Sequence, residues 1–94
     1  MGEDRLWEAR NTIREVDREM AGLFARRMEA VRRITAYKRE RGIPIQDAAQ
    51  EREVVRRNLA YVEEEDLHGL YARFIREVMD ISKQYQRRLT EDAR

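Results

Sequence analysis

The chain has 94 residues, 41% hydrophobic and 41% charged, which is enough for one small domain with a modest core. Twenty Lys and Arg face 19 Asp and Glu, and a net charge of +1 gives no long-range field to draw nucleic acid or a membrane surface, so any anion binding has to be local. There is no Cys, no apolar run near the roughly 18 residues that span a bilayer and no secretory leader pattern, so a reducing, cytoplasmic setting is expected.

From Leu6 to Lys38 the apolar positions are Leu6, Ala9, Ile13, Val16, Met20, Leu23, Phe24, Met28, Val31 and Ile34. Their three-and-four spacing predicts one amphipathic helix with Gly22 as its single weak point. At 1.5 Å per residue such a helix is roughly 50 Å long, against a radius of gyration of about 12 Å for a chain of this size. It cannot bury its stripe inside a compact monomer. Either it breaks near Gly22 or it pairs with a second copy of itself, and a homodimer is the expectation. Gly42 and Pro44 end the helix. Asp47 offers an N-cap for a second helix with Glu51 and Glu53 in its first turns and Val54, Val55, Leu59 and Val62 on its apolar side. After the acidic run Glu63 to Asp66, Asp66 is placed to cap a third helix. Its apolar face carries Leu67, Leu70, Tyr71, Phe74, Ile75, Val78, Ile81, Tyr85 and Leu89. Residues 90–94 read as a frayed tail. Nothing reads as a strand, and the fold class is all-α: one domain of three helices with its core over about residues 6–89.

Polar residues in line with these stripes carry the functional signal. Arg10 lies three before Ile13, Arg27 three after Phe24, and Lys38 four after Ile34, which puts the three cations on the apolar side of the first helix. On the third helix Ser82 is four after Val78, and Gln86 four after Ser82. One arginine beside an apolar stripe ordinarily snorkels to water. Three cations together are harder to explain that way, because a buried cation without a partner costs several kcal/mol. Asp17, Asp47 and Glu51 supply part of the compensation, and an anionic ligand would supply the rest. The lone His68 reads as a surface group and Trp7 as a packing anchor. No zinc ligand set, serine–histidine pair or glycine-rich phosphate loop is present. Arg26, Arg32, Arg33, Arg39 and Arg41 are interleaved with Glu29 and Glu40 and read as a solvated face rather than a nucleic-acid strip.

Arg10, Ile13, Asp17, Arg27 and Lys38 in "ARNTIREVDREMAGLFARRMEAVRRITAYK", then "GIPIQDAAQERE", then "FIREVMDISKQYQ", resemble the all-helical class of chorismate mutases, in order and over nearly the whole chain. The spacings of 17 from Arg10 to Arg27, 11 to Lys38, nine to Asp47 and four to Glu51 recur together, and the combination makes the likeness specific. The resemblance implies an intertwined homodimer with two sites built from both chains. It implies the Claisen-type rearrangement of chorismate to prephenate, without cofactor or metal, at the branch toward phenylalanine and tyrosine. It also implies residue roles: Arg27 on one substrate carboxylate and Arg10 of the partner chain on the other, Lys38 and Gln86 at the ether oxygen, Glu51 on the ring hydroxyl with Asp47 beside it, and Ser82 on a carboxylate. A dianionic substrate would offer Arg10 and Arg27 carboxylates in the bidentate geometry guanidinium favours.

Gln50 departs from the pattern, since the family usually has an arginine there. Arg52 is no substitute, being about 200° further round the helix. Exchanging a charge-assisted hydrogen bond for a neutral one is expected to cost roughly 1–2 kcal/mol, about ten- to thirtyfold in kcat/KM. Isochorismate pyruvate-lyases share this architecture and are the alternative enzyme, though Glu51 and Ser82 in family positions favour the mutase. A non-catalytic dimeric helical module is the alternative of a different class. In it Arg10, Arg27 and Lys38 form structural ion pairs with Asp17, Glu51 and the C-terminal acids.

Overall fold

The computed structural model describes residues 2–45 and 48–92. It consists of α1 (Gly2–Arg41), α2 (Ala48–Leu59), a single 3-10 turn (Glu65–Leu67) and α3 (His68–Asp92), with no strand among the described residues. The expected all-helical class, three helices and long first helix are all present. α1 passes through Gly22 without interruption, which removes the alternative of a break there. The chain forms two compact units, residues 1–30 and 31–94.

Within the first unit α1 opens on Glu3 and Asp4, whose carboxylates suit the positive end of the helix dipole. Thr12 Oγ1 donates back to the Glu8 carbonyl at 3.1 Å, and Asn11 Nδ2 reaches Glu15 Oε1 at 3.3 Å, four residues on. The apolar stripe runs Leu6, Ile13, Val16, Met20, Leu23 and Phe24, and each of these is at least 45% exposed. Full burial of one such side chain contributes about 1.5–3 kcal/mol, so the stripe represents stabilisation that the single chain leaves unrealised.

The second unit begins where α1 ends. Gly42 adopts φ +64°, the left-handed value that closes a helix at little cost only for glycine. Ile43 N–H donates to the Lys38 carbonyl at 2.9 Å and Gly42 N–H to the Arg39 carbonyl at 3.4 Å, the paired bonds of a Schellman stop. α2 holds Glu51 in its first turn and closes through turn bonds from Tyr61 N–H to the Asn58 carbonyl and from Val62 N–H to that of Leu59, each 3.1 Å. The expected cap on α2, Asp47, lies outside the described residues.

The start of α3 differs from expectation. Asp66 does not cap it but sits inside the 3-10 turn, where Leu67 N–H bonds the Glu64 carbonyl at 3.1 Å. Glu64 precedes that turn in extended conformation and makes no side-chain cap. The join is secured by His68 instead: its Nε2 donates to the Val62 carbonyl, and the ring is half-buried rather than a free surface group. α3 then continues to Asp92, three residues past the expected end at Leu89, with Thr90 Oγ1 donating to the Gln86 carbonyl at 2.9 Å.

α3 packs against α2, and the buried positions of this unit are Val31, Ala72 and Ile75 together with three polar residues, Thr35, Ser82 and Gln86. Half of the most buried set is therefore polar, an unusual ratio for a small helical core. Arg32 Nε donates to the Tyr85 hydroxyl at 2.6 Å and its guanidinium lies 5.8 Å from that ring's centroid, which ties α1 to α3 at the surface.

Candidate active site

Lys38 owes its position to the Schellman stop. Its carbonyl accepts the closing bond from Ile43, and its Nζ donates to the Ile45 carbonyl at 3.2 Å. The turn at Gly42 thus anchors both ends of this half-buried residue and aims the ammonium along the connection to α2. Thr35, three residues earlier, is 2% exposed and returns its hydroxyl to the Val31 carbonyl at 2.8 Å.

On α3, Ser82 and Gln86 are one helical turn apart and both buried, each 7% exposed. The Ser82 hydroxyl donates to the Val78 carbonyl at 2.8 Å. An activated nucleophile would face a base, whereas the His68 ring is engaged with Val62, so no serine–histidine relay forms. An amide such as that of Gln86 offers two donors and an acceptor without adding charge. Among the described residues no fully buried side-chain nitrogen or oxygen lacks a partner.

Glu51 projects from the first turn of α2 and is paired with a residue that the sequence reading passed over. Lys83 Nζ lies 2.9 Å from Glu51 Oε1 and 3.4 Å from Asp80 Oδ1, and the Lys83 side chain is only 19% exposed. The hydrogen bond to Glu51, with a smaller contribution from Asp80, raises the Lys83 pKa above the usual lysine value and keeps the ammonium charged throughout the neutral range. Its sequence signal was faint: Lys83 is four after Met79 and three before Gln86, at the edge of the apolar face. Beside this pair, Ala48, Glu51, Arg52, Val55, Arg76, Met79 and Asp80 line a cleft of about 380 Å³ between α2 and α3. Gln50 is exposed. Asp47 is again outside the described residues.

Arg10 and Arg27 belong to the first unit. Arg10 is exposed beside Leu6, Trp7 and Arg14, which with Glu3 border a groove of about 290 Å³, and Arg27 is half-buried. Along an unbroken helix 17 residues separate them by about 25 Å and turn them about 100° apart. Both fall within an apolar side that is itself at least about 100° wide, but they are too far apart along the axis to meet on one small ligand.

A family model described as chorismate mutase type II matches residues 9–87. The chain belongs to that family. Neither the curated proteins nor the solved structures yield a match. Membership implies chorismate mutase (isomerase) activity at the level of the family, and Arg10, Arg27, Lys38, Glu51, Ser82 and Gln86 all fall inside the matched span. The donors and acceptors described above can orient and electrostatically stabilise a polar substrate without forming a covalent bond to it.

Proposed function

We propose that this protein is a chorismate mutase that converts chorismate to prephenate, serving phenylalanine and tyrosine synthesis in the cytoplasm. The observation that carries the reading is the family match across residues 9–87, joined to a packed unit that buries Ser82 and Gln86 where a plain helical core would bury apolar groups. The rearrangement is intramolecular, so the protein needs no nucleophile, general base, cofactor or metal. It must hold the enolpyruvyl side chain over the ring and stabilise the charge that develops as the C–O bond lengthens. Lys38 supplies a cation at the ether oxygen and Gln86 a neutral donor beside it. Glu51 accepts the ring hydroxyl with Asp47 close by, Arg27 holds one carboxylate, and Ser82 adds a contact to a carboxylate. Gln50 stands where an additional cation would otherwise assist.

The separation of Arg10 from Arg27 supports a site shared between two chains. With about 25 Å between them on one helix, a small dianion held by Arg27 receives an Arg10 from elsewhere, and the exposed stripe of α1 gives a second copy a surface to bind. The working enzyme in this reading is an intertwined homodimer with two equivalent sites.

The test is the loss of chorismate absorbance with purified protein, followed by the same assay on Lys38→Ala. The expected result is turnover in the unmodified protein and a loss of about 10²- to 10³-fold in kcat on removing this charged donor, with helicity and melting temperature nearly unchanged. No turnover of chorismate by the unmodified protein would sink the proposal. Turnover of isochorismate to pyruvate instead would assign the chain to the lyase activity. A lower melting temperature for Lys38→Ala, in a protein inert to both substrates, would leave the structural module.

A further inference from the structure

Glu51 poses an electrostatic problem that the proposed reaction sharpens. A carboxylate that accepts a hydrogen bond from the substrate hydroxyl also brings a negative charge up to a dianion, and within a partly desolvated site that repulsion opposes binding. The structure contains a means of cancelling it. Lys83 Nζ sits 2.9 Å from Glu51 Oε1, bridging α3 to α2, and only 19% of the Lys83 side chain is exposed. The bond engages one carboxylate oxygen, Oε1, and the second oxygen remains able to accept. Lys83 is also flanked on α3 by the buried Ser82 and, a turn away, by the buried Gln86.

We propose that Lys83 is a positioning residue for Glu51: it neutralises and orients that carboxylate so that Glu51 can accept the hydroxyl of a dianionic substrate without repelling it. The inference rests on the chorismate mutase reading for the identity of the dianion, while the ion pair stands on the geometry alone. The second carboxylate near the ammonium, Asp80 at 3.4 Å, is 57% exposed and is screened by solvent.

A simple interhelical staple would make the same contact, and substrate kinetics separate the two roles. Lys83→Met is expected to raise KM for chorismate about tenfold with a much smaller change in kcat, and Lys83→Arg to keep KM within about twofold of the unmodified protein. Placing Glu51→Gln in the Lys83→Met background removes the exposed negative charge and is expected to recover most of the lost KM. A staple predicts a lower melting temperature in Lys83→Met, an unmoved KM and no recovery in the double variant, and that outcome overturns the proposal. Should Lys83→Met fold poorly, Lys83→Gln, which keeps a polar chain of similar reach, is read in its place. Calorimetric binding of prephenate, itself a dianion, keeps this question apart from catalysis. An unmodified protein that binds prephenate without turning over chorismate, and loses binding on Lys83→Met, refutes the assigned reaction and retains the role of Lys83. Turnover with an unchanged KM in Lys83→Met does the reverse.

Discussion

Residues 2–30 and residues 31–92 use the same helical periodicity, and only the second closes over a core. In the first stretch an apolar stripe from Leu6 to Phe24 stays open to solvent, with each large side chain at least 45% exposed. In the second a small core is covered although Ile34, Tyr37, Leu70 and Phe74 stay at least 48% exposed, and what is buried is half polar: Thr35, Ser82 and Gln86 beside Val31, Ala72 and Ile75. A protein that needed only to fold would invert this arrangement, because apolar surface gains by burial and polar groups lose unless bonded. The inversion shows where the chain gives up stability for something else. The open stripe suits a second copy, and the polar interior suits a ligand.

The largest effect should come from separating the contributions of the two stretches. Arg10→Ala and Arg27→Ala are each expected to lose about 10²-fold or more in kcat/KM, the cost of removing a charged donor from a water-excluded site. If Arg10 acts across a two-fold axis, mixing the two inactive variants under conditions of subunit exchange should restore about a quarter of the unmodified rate. Half the dimers are then mixed, and each mixed dimer has one site carrying neither substitution. A mixture as inactive as its parents breaks the shared-site account and returns Arg10 to a surface role. A smaller effect tests the second stretch alone. Gln50→Arg should raise kcat/KM about ten- to thirtyfold by restoring a charge-assisted hydrogen bond, and an unchanged or lower value removes position 50 from the site.

The sequence was informative where local physics decides. The three-and-four spacing foretold the helices, and Gly42 with Pro44 marked the stop that now positions Lys38. Ser82 and Gln86 stand out because polar groups in an apolar register are visible without knowing what covers them. Two features stay hidden for a common reason. Asp66 has the chemistry of a cap, but the His68–Val62 bond and a tightened turn, neither visible as periodicity, decide where α3 begins. Lys83 was missed because its partner Glu51 lies 32 residues earlier, and only tertiary packing brings the two together.

Two ion pairs in the second stretch give the finest version of the comparison. Glu53 and Arg56 are three residues apart on α2, joined by a bond of 2.9 Å from Nε to Oε2 and exposed to water. Glu51 and Lys83 join two helices and are half-buried. The hydrogen bond from Arg56 lowers the Glu53 pKa, so any stability it gives is present above the usual carboxylate range and is lost as pH falls through the lowered value. The raised pKa of Lys83 works at the other end: its contribution is full below the usual lysine range and is lost as pH rises through the raised value. Arg56→Ala should therefore leave turnover unchanged and lower the neutral-pH melting temperature slightly at most, while the Glu53 carboxyl, followed by NMR, titrates at higher pH than in the unmodified protein. A loss of turnover would bring Glu53 into the site and erase the distinction between the two pairs. An unchanged rate, set beside the KM shift expected for Lys83→Met, would show that the α2–α3 junction separates a solvated ion pair from a working one by burial and by the bridging of two helices, since both are carboxylate–cation contacts and the solvated one is the shorter.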